Sequence, residues 1–251
     1  MLTRFFHFLK QTLLCVLLIA LLCGVVLCGV LSWQGSQLFQ SASAARPVTV
    51  LYDEISARSG FTTYNDLPAL YVNAVLSVED ERFWQHSGID PMSIGRALLA
   101  DLRSRSFAEG GSTLTQQLAK NEYFTQEKRL ARKFAEGFAA LSIEKHYTKE
   151  QIFEMYVNTI YFGSGYYGIA QAAQGYFGKT PAELTDAECV MLAGLPNAPS
   201  AYSPNSSPEL AYKRSQTVLK RMVKCRVLTQ SEADILDAEV QQLQVLPAAD
   251  S

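Results

Sequence analysis

The chain has 251 residues, 48% of them hydrophobic, and a formal charge of −2 at pH 7. That suits one good-sized domain with a real core and an appendage, and leaves no room for a second large domain. Near-balanced charge excludes nucleic-acid binding by bulk electrostatics, so any basic patch is local and its target is a small anionic group.

No charged residue occurs between Gln11 and Ala45, and Leu13 to Leu31 is a 19-residue, nearly all-apolar run. A bilayer core takes about 20 such residues, whereas the apolar region of a cleaved signal peptide has about 7 to 15. The run therefore predicts an uncleaved anchor, with 1–10 as a cytoplasmic tail and 11–33 as the spanning helix. The small-residue stretch Ser41 to Ala45 resembles a cleavage site but lies well beyond the apolar run. Arg4, Lys10 and the amino terminus precede the helix, which keeps that end cytoplasmic and the remainder outside. Cys15, Cys23 and Cys28 fall inside the run as small hydrophobes. Cys189 and Cys225 have no paired spacing, so neither a disulfide framework nor a zinc site is read.

Gln34 to Ala45, rich in Ser, Ala and Gln, reads as the start of a linker covering 34–60. Within it Val48, Val50 and Tyr52 alternate as a short strand would. Asn65-Asp66-Leu67-Pro68 predicts a helix start, and Leu67, Leu70, Tyr71, Ala74, Val75 and Val78 give that helix one apolar face. Glu79 follows four residues after Val75, at the edge of that face. A carboxylate there is partly desolvated, which raises its pKa and suits a general base; an exposed acid cluster at a helix end is the bland alternative.

Asp90-Pro91 predicts a second helix with Met92, Ile94, Leu98, Leu99 and Leu102 on its apolar side. It ends at Arg103-Ser104-Arg105-Ser106-Phe107, and the pattern leaves open whether this loop meets a lipid interface or solvent. Gly110-Gly111 precedes a capping box formed by Thr113 and Gln116, and in the helix it opens Gln117 and Lys120 share a face. A helix start beside donors and a lysine suits a phosphate, although the P-loop spacing is absent. Lys128, Arg132 and Glu136 then succeed one another at steps of four, either a working cationic stripe or a solvated one. Further helices are expected from Lys149 to Asn158, from Thr185 to Leu195, from Pro208 to Lys224 and from Thr229, the last capped with Glu232. The whole is mainly α. Two separated carboxylates with cations between them suggest acid/base work on a substrate with an anionic leaving group.

Five segments in this order resemble the peptidoglycan glycosyltransferases of family 51, which occur alone and as the first domain of class A penicillin-binding proteins. They are Glu79-Asp80-Glu81-Arg82-Phe83-Trp84-Gln85-His86-Ser87-Gly88, Gly110 to Asn121, Arg132-Lys133-Phe134-Ala135-Glu136, Lys149 to Asn158, and Gly168 to Lys179. Leu192 to Pro199 completes the pattern. The resemblance runs from about Leu67 to about Lys224, within a catalytic domain set at 61–226 and followed by a helical tail at 227–251. It implies a lysozyme-like, two-lobed helical domain whose smaller lobe touches the membrane. It also implies polymerisation of lipid II in an inverting reaction that releases undecaprenyl pyrophosphate.

The resemblance maps the base onto Glu79, the second acid onto Glu136, and pyrophosphate contacts onto Lys120, Gln117, Ser112 and Arg132. It further assigns Asp80, Phe83, His86, Thr113, Gln116, Asn121, Lys128 and Lys133 to substrate binding. The chain departs from the family at Lys128, where arginine is usual, and at Glu109, where glutamine is usual. Lysine keeps the charge but loses the bidentate fork. A magnesium or manganese ion could assist the pyrophosphate, although no ligand cluster in the sequence demands one. The expected partners are lipid II, the growing glycan strand, the membrane and other cell-wall synthesis proteins, at the bacterial plasma membrane and on its outer face. Nothing resembling a transpeptidase follows Lys224, so cross-linking is not expected. The rivals are a lytic enzyme, which has no use for a pyrophosphate patch, and an inactive assembly factor.

Overall fold

The computed structural model describes residues 2–104, 110–124, 130–243 and 245, and among them there is no strand. The helices are α1 (Leu2–Ala45), α2 (Leu51–Ser56), α3 (Ala69–Glu79), α4 (Pro91–Ser104), α5 (Leu114–Tyr123) and α6 (Leu130–His146). They continue with α7 (Lys149–Thr159), α8 (Ile169–Phe177), α9 (Asp186–Gly194), α10 (Pro199–Tyr202), α11 (Pro208–Lys224) and α12 (Gln230–Gln241).

The N-terminal helix is long and apolar enough to cross a membrane, with a mean hydropathy of 3.1 in its best window. Every residue from Phe5 to Val30 is exposed, as a lipid-facing segment would be. The linker expected from Gln34 onward is instead the continuation of α1 to Ala45. Its polar composition misleads because tertiary contact sustains the helix: Gly35 is buried and Phe39 half-buried against the body. The strand expected around Val48 is a single 3-10 turn at Val48–Val50 running into α2. Val48, Leu51 and Ile55 are buried at spacings of three and four, a helical period that the β-branched valines obscured.

Helix α3 starts at Ala69 with Pro68 as its N-cap, while Tyr64–Asp66 forms a separate 3-10 turn. It is no surface amphipath. Val72, Leu76 and Ser77 are buried along with Tyr71, Ala74 and Val75, so nearly its whole circumference is covered, in large part by α9 and α11. One hydrophobic cluster runs from Val48 to Val240, and α12 contributes Ala233, Leu236 and Val240 to it. The capping boxes expected at Thr113/Gln116, Thr185/Glu188 and Thr229/Glu232 all form. Asp90 caps α4, accepting from Met92 N at 3.0 Å and from Ser93 Oγ at 2.6 Å.

Candidate active site

Glu79 is the last residue of the buried helix α3, and the segment after it locks that end to the start of α5. Asp80 is buried; its Oδ2 accepts from Leu114 N at 2.9 Å and pairs with His86 Nε2 at 2.8 Å. Aimed at the first amides of α5, this carboxylate meets orphan N–H groups and the positive end of the helix. His86 Nδ1 in turn accepts from Gly88 N at 3.1 Å, and Gly88 O accepts from Thr113 Oγ1 at 2.6 Å. Gly88 has φ +93° and lies so close to Ala140 that a Cβ would sit 2.9 Å from its carbonyl oxygen, so only glycine fits. Phe83 is fully buried under Lys149, whose Nζ lies 4.4 Å from the ring centroid. Asp80, Phe83 and His86, expected to contact substrate, are therefore buried in this clamp with their polar atoms engaged inside the protein.

The clamp fixes Glu79 against Gln117, whose Nε2 donates to Glu79 Oε2 at 2.7 Å. Tyr156 donates its hydroxyl to Gln117 Oε1 at 3.3 Å, which sets the direction of the amide. Only 9% of the Glu79 side chain is exposed. Burial raises its pKa above the ordinary carboxylate value, against the opposing pull of Gln117 and of the Arg214 charge. Its Oε1 is buried without a hydrogen bond; the nearest cation atom, Arg214 Nη2, lies 3.7 Å away.

The facing wall belongs to α6. Glu136 is buried and accepts from Lys133 Nζ at 2.8 Å, and Arg132 Nε lies 3.1 Å from its other oxygen. Lys133 Nζ also donates to Ser112 Oγ at 2.6 Å, joining the glycine turn to α6. Between the walls lies a cavity of about 510 Å³ lined by Glu79, Ser112, Gln116, Gln117, Lys120, Arg132, Lys133 and Glu136, and by Asn197, Arg214 and Arg221 from beyond α9. Five cations against two carboxylates make it a place for phosphate-like charge. Asn121 lines a neighbouring cavity of about 530 Å³ that shares Gln117, Lys120 and Asn197 and adds Tyr161 and Tyr167. Thr113 is buried and works as the cap of α5. Lys128 and Glu109, the positions of the departures, lie outside the described residues.

The sequence reading missed Arg214 and Arg221. Together with Thr217 they lie at steps of three and four on α11, a polar stripe that by itself looks like the solvated side of an amphipathic helix. Arg214 is held by donation from Nε to Gly194 O at 3.1 Å and by the Tyr202 ring at 5.7 Å. Its charge favours the ionised form of Glu79. Arg214→Gln is therefore expected to raise the Glu79 pKa further and move the acid limb of the kcat/KM–pH profile to higher pH. A limb that stays in place would remove Arg214 from control of the carboxylate.

Among the described residues the domain is helical, and its desolvated carboxylate facing a cationic cleft suits acid/base chemistry beside an anionic group. The transglycosylase family model matches residues 48–223, and the chain belongs to that family. It is 44% identical over 192 residues to penicillin-binding protein 1A of Neisseria lactamica, covering 76% of this chain and 24% of that protein. It is 45% identical over 174 residues to penicillin-binding protein 1A of Aquifex aeolicus, covering 69% and 24%. The chain thus spans about a quarter of the length of these relatives. The crystal structure of penicillin-binding protein 1A from Haemophilus influenzae is 28% identical, matches over 54% of this chain and 17% of that one, and has a TM-score of 0.37. The helical architecture agrees with the lysozyme-like fold expected of the family.

Proposed function

We propose that the chain is a membrane-anchored peptidoglycan glycosyltransferase that polymerises lipid II into β-1,4-linked glycan and releases undecaprenyl pyrophosphate. The observation that carries this is the pairing of a desolvated Glu79 with a five-cation cleft, in a chain of the transglycosylase family. In the step we infer, Glu79 takes the proton of the acceptor 4-hydroxyl as that oxygen bonds to the donor's anomeric carbon. The bond from that carbon to the pyrophosphate breaks on the opposite face, and its electron pair leaves on the phosphate oxygen. Lys120, Arg132, Lys133, Arg214 and Arg221 surround the cavity in which that charge develops. A lytic enzyme would have no role for these cations.

The polar side chains of the cleft, apart from the two carboxylates, are those of Lys, Arg, Gln, Asn, Ser and Thr, and among the described residues no three His, Cys, Asp or Glu side chains cluster. This donor set does not fit a resident divalent cation, so no step is routed through one. Arg4 and Lys10 before the apolar run support a cytoplasmic amino terminus and a catalytic domain on the outer face of the bacterial plasma membrane. The partners we infer are lipid II, the nascent strand and other wall-synthesis proteins.

Incubation of the purified chain with labelled lipid II should yield polymer, and glycan cleavage without polymer would overturn the assignment. Because both enzyme and substrate are confined to one surface, the anchor should raise their effective concentration. Deleting Met1 to Trp33 is therefore expected to weaken activity on bilayer substrate more than in detergent. Equal losses in both would count against capture by the anchor.

A further inference from the structure

Helix α1 does not leave the membrane as a free tether. Of its described residues only Gly35 is buried, and Leu31, Ser32, Ser36, Phe39 and Ala42 are half-buried on the same side. Gly35 lies against α6 so closely that a Cβ there would meet Phe134 Cβ at 2.6 Å, Ala131 O at 2.9 Å and Ala135 N at 2.9 Å. Two of those atoms are backbone, so no side-chain adjustment relieves the overlap. Eleven residues on, Arg46 closes the same helix onto α5 and α2. Its Nη1 donates to Glu122 Oε2 at 2.9 Å and its Nε to Glu54 Oε2 at 2.6 Å.

Two of the helices gripped in this way, α5 and α6, line the cleft together with α3 and α11. Alpha-helical geometry advances about 100° per residue, so Ala131, Phe134 and Ala135 lie on nearly the opposite side of α6 from Arg132, Lys133 and Glu136. One face carries the anchor and the other carries the charges. Helix α5, which supplies Gln117 and Lys120, carries in its last turn the Glu122 that Arg46 holds. A continuous helix from the lipid-exposed segment to this double grip has no joint at which the cleft could swing.

We propose that α1 is a rigid strut and that Gly35 is a positioning residue, setting the height and tilt of the catalytic cleft relative to the bilayer surface. This rests on the reading above that the reacting pyrophosphate is held at a membrane. A headgroup anchored in lipid reaches the cations only if the cleft is presented at the right level. A misplacement of about 1 Å can cost an enzyme about 100-fold in rate.

The test compares full-length Gly35→Leu with wild type and with Gly29→Leu, a helix position with nothing within 4 Å. Polymerisation of labelled lipid II is measured in vesicles and in detergent, and amide hydrogen exchange of residues 34–46 in nanodiscs. Gly35→Leu should lose roughly tenfold or more in vesicles, keep near wild-type activity in micelles, which impose no fixed plane, and exchange faster across 34–46. Gly29→Leu should match wild type throughout. Arg46→Ala, which loosens the grip without adding bulk, should repeat the pattern more weakly and serves if Gly35→Leu does not fold. Equal loss in vesicles and micelles would make Gly35 a mere packing residue of α6, and no loss in either would make α1 a flexible tether. Unchanged exchange would overturn the docking itself. A wild type inactive in both media would instead refute the proposed function, with the exchange data still deciding the docking.

Discussion

Replacing Glu79 by glutamine is expected to abolish polymer formation while leaving the chain folded and no less stable at neutral pH. Glutamine keeps the shape and the contact with Gln117 but cannot take a proton, and loss of a general base costs about 10²- to 10⁴-fold in rate. The stability side follows from the raised pKa, caused first by burial. A group whose folded pKa exceeds its unfolded value of about 4.3 favours folding fully only below that value, and the benefit is lost as pH rises through the folded pKa. Above the folded pKa the wild type carries a buried, incompletely paired charge that Glu79→Gln removes. Thermal unfolding across pH should show the variant gaining on wild type as pH rises from about 4, a difference that then levels off. Polymerisation near the wild-type rate would sink the assignment of Glu79 as base. A variant that unfolds more readily at pH 7 would show that Glu79 is a structural carboxylate.

The site was legible through its motifs, not through the cost of burying Glu79, which only the fold reveals. The pattern put Glu79 at the edge of the apolar face of α3 but fitted an exposed acid cluster equally, and it was the resemblance of the surrounding motif that singled it out. The capping boxes were legible for a different reason: each is a local bargain between one side chain and one amide, complete within four residues. What could not be read was settled by contacts distant in sequence. The helix from Gln34 to Ala45 is held by α6, about a hundred residues later, and nothing in its composition announces that support. Arg214 sits on a helix whose own pattern is an ordinary amphipath, and only the fold brings it to Glu79. Asp80 and His86 belong to the most recognisable motif in the chain, yet they act by tying α3 to α5. A motif marks residues that matter without distinguishing those that touch substrate from those that hold the touching residues in place.

Glu136→Gln is expected to cut turnover by roughly a hundredfold and, unlike the change at Glu79, to lower stability. Only 2% of the Glu136 side chain is exposed, and two cations, Lys133 at 2.8 Å and Arg132 at 3.1 Å, converge on it. A carboxylate so engaged is well placed to aim its partners: it holds Lys133 Nζ where Ser112 Oγ can also reach it, at 2.6 Å. Removing the charge leaves two neighbouring cations that repel each other and lose their direction. Breaking a buried pair costs about 3–5 kcal/mol, but Lys133 is 55% exposed and solvent screens its share, so a loss of about 1–3 kcal/mol is expected. Steady-state rates over a range of lipid II concentrations, taken with thermal unfolding, separate the two roles. A fall in kcat in protein still folded at the assay temperature supports the aiming of cations at the leaving group. If stability drops while kcat holds in the folded fraction, Glu136 is a structural residue and the leaving-group charge is carried by Lys120, Arg214 and Arg221.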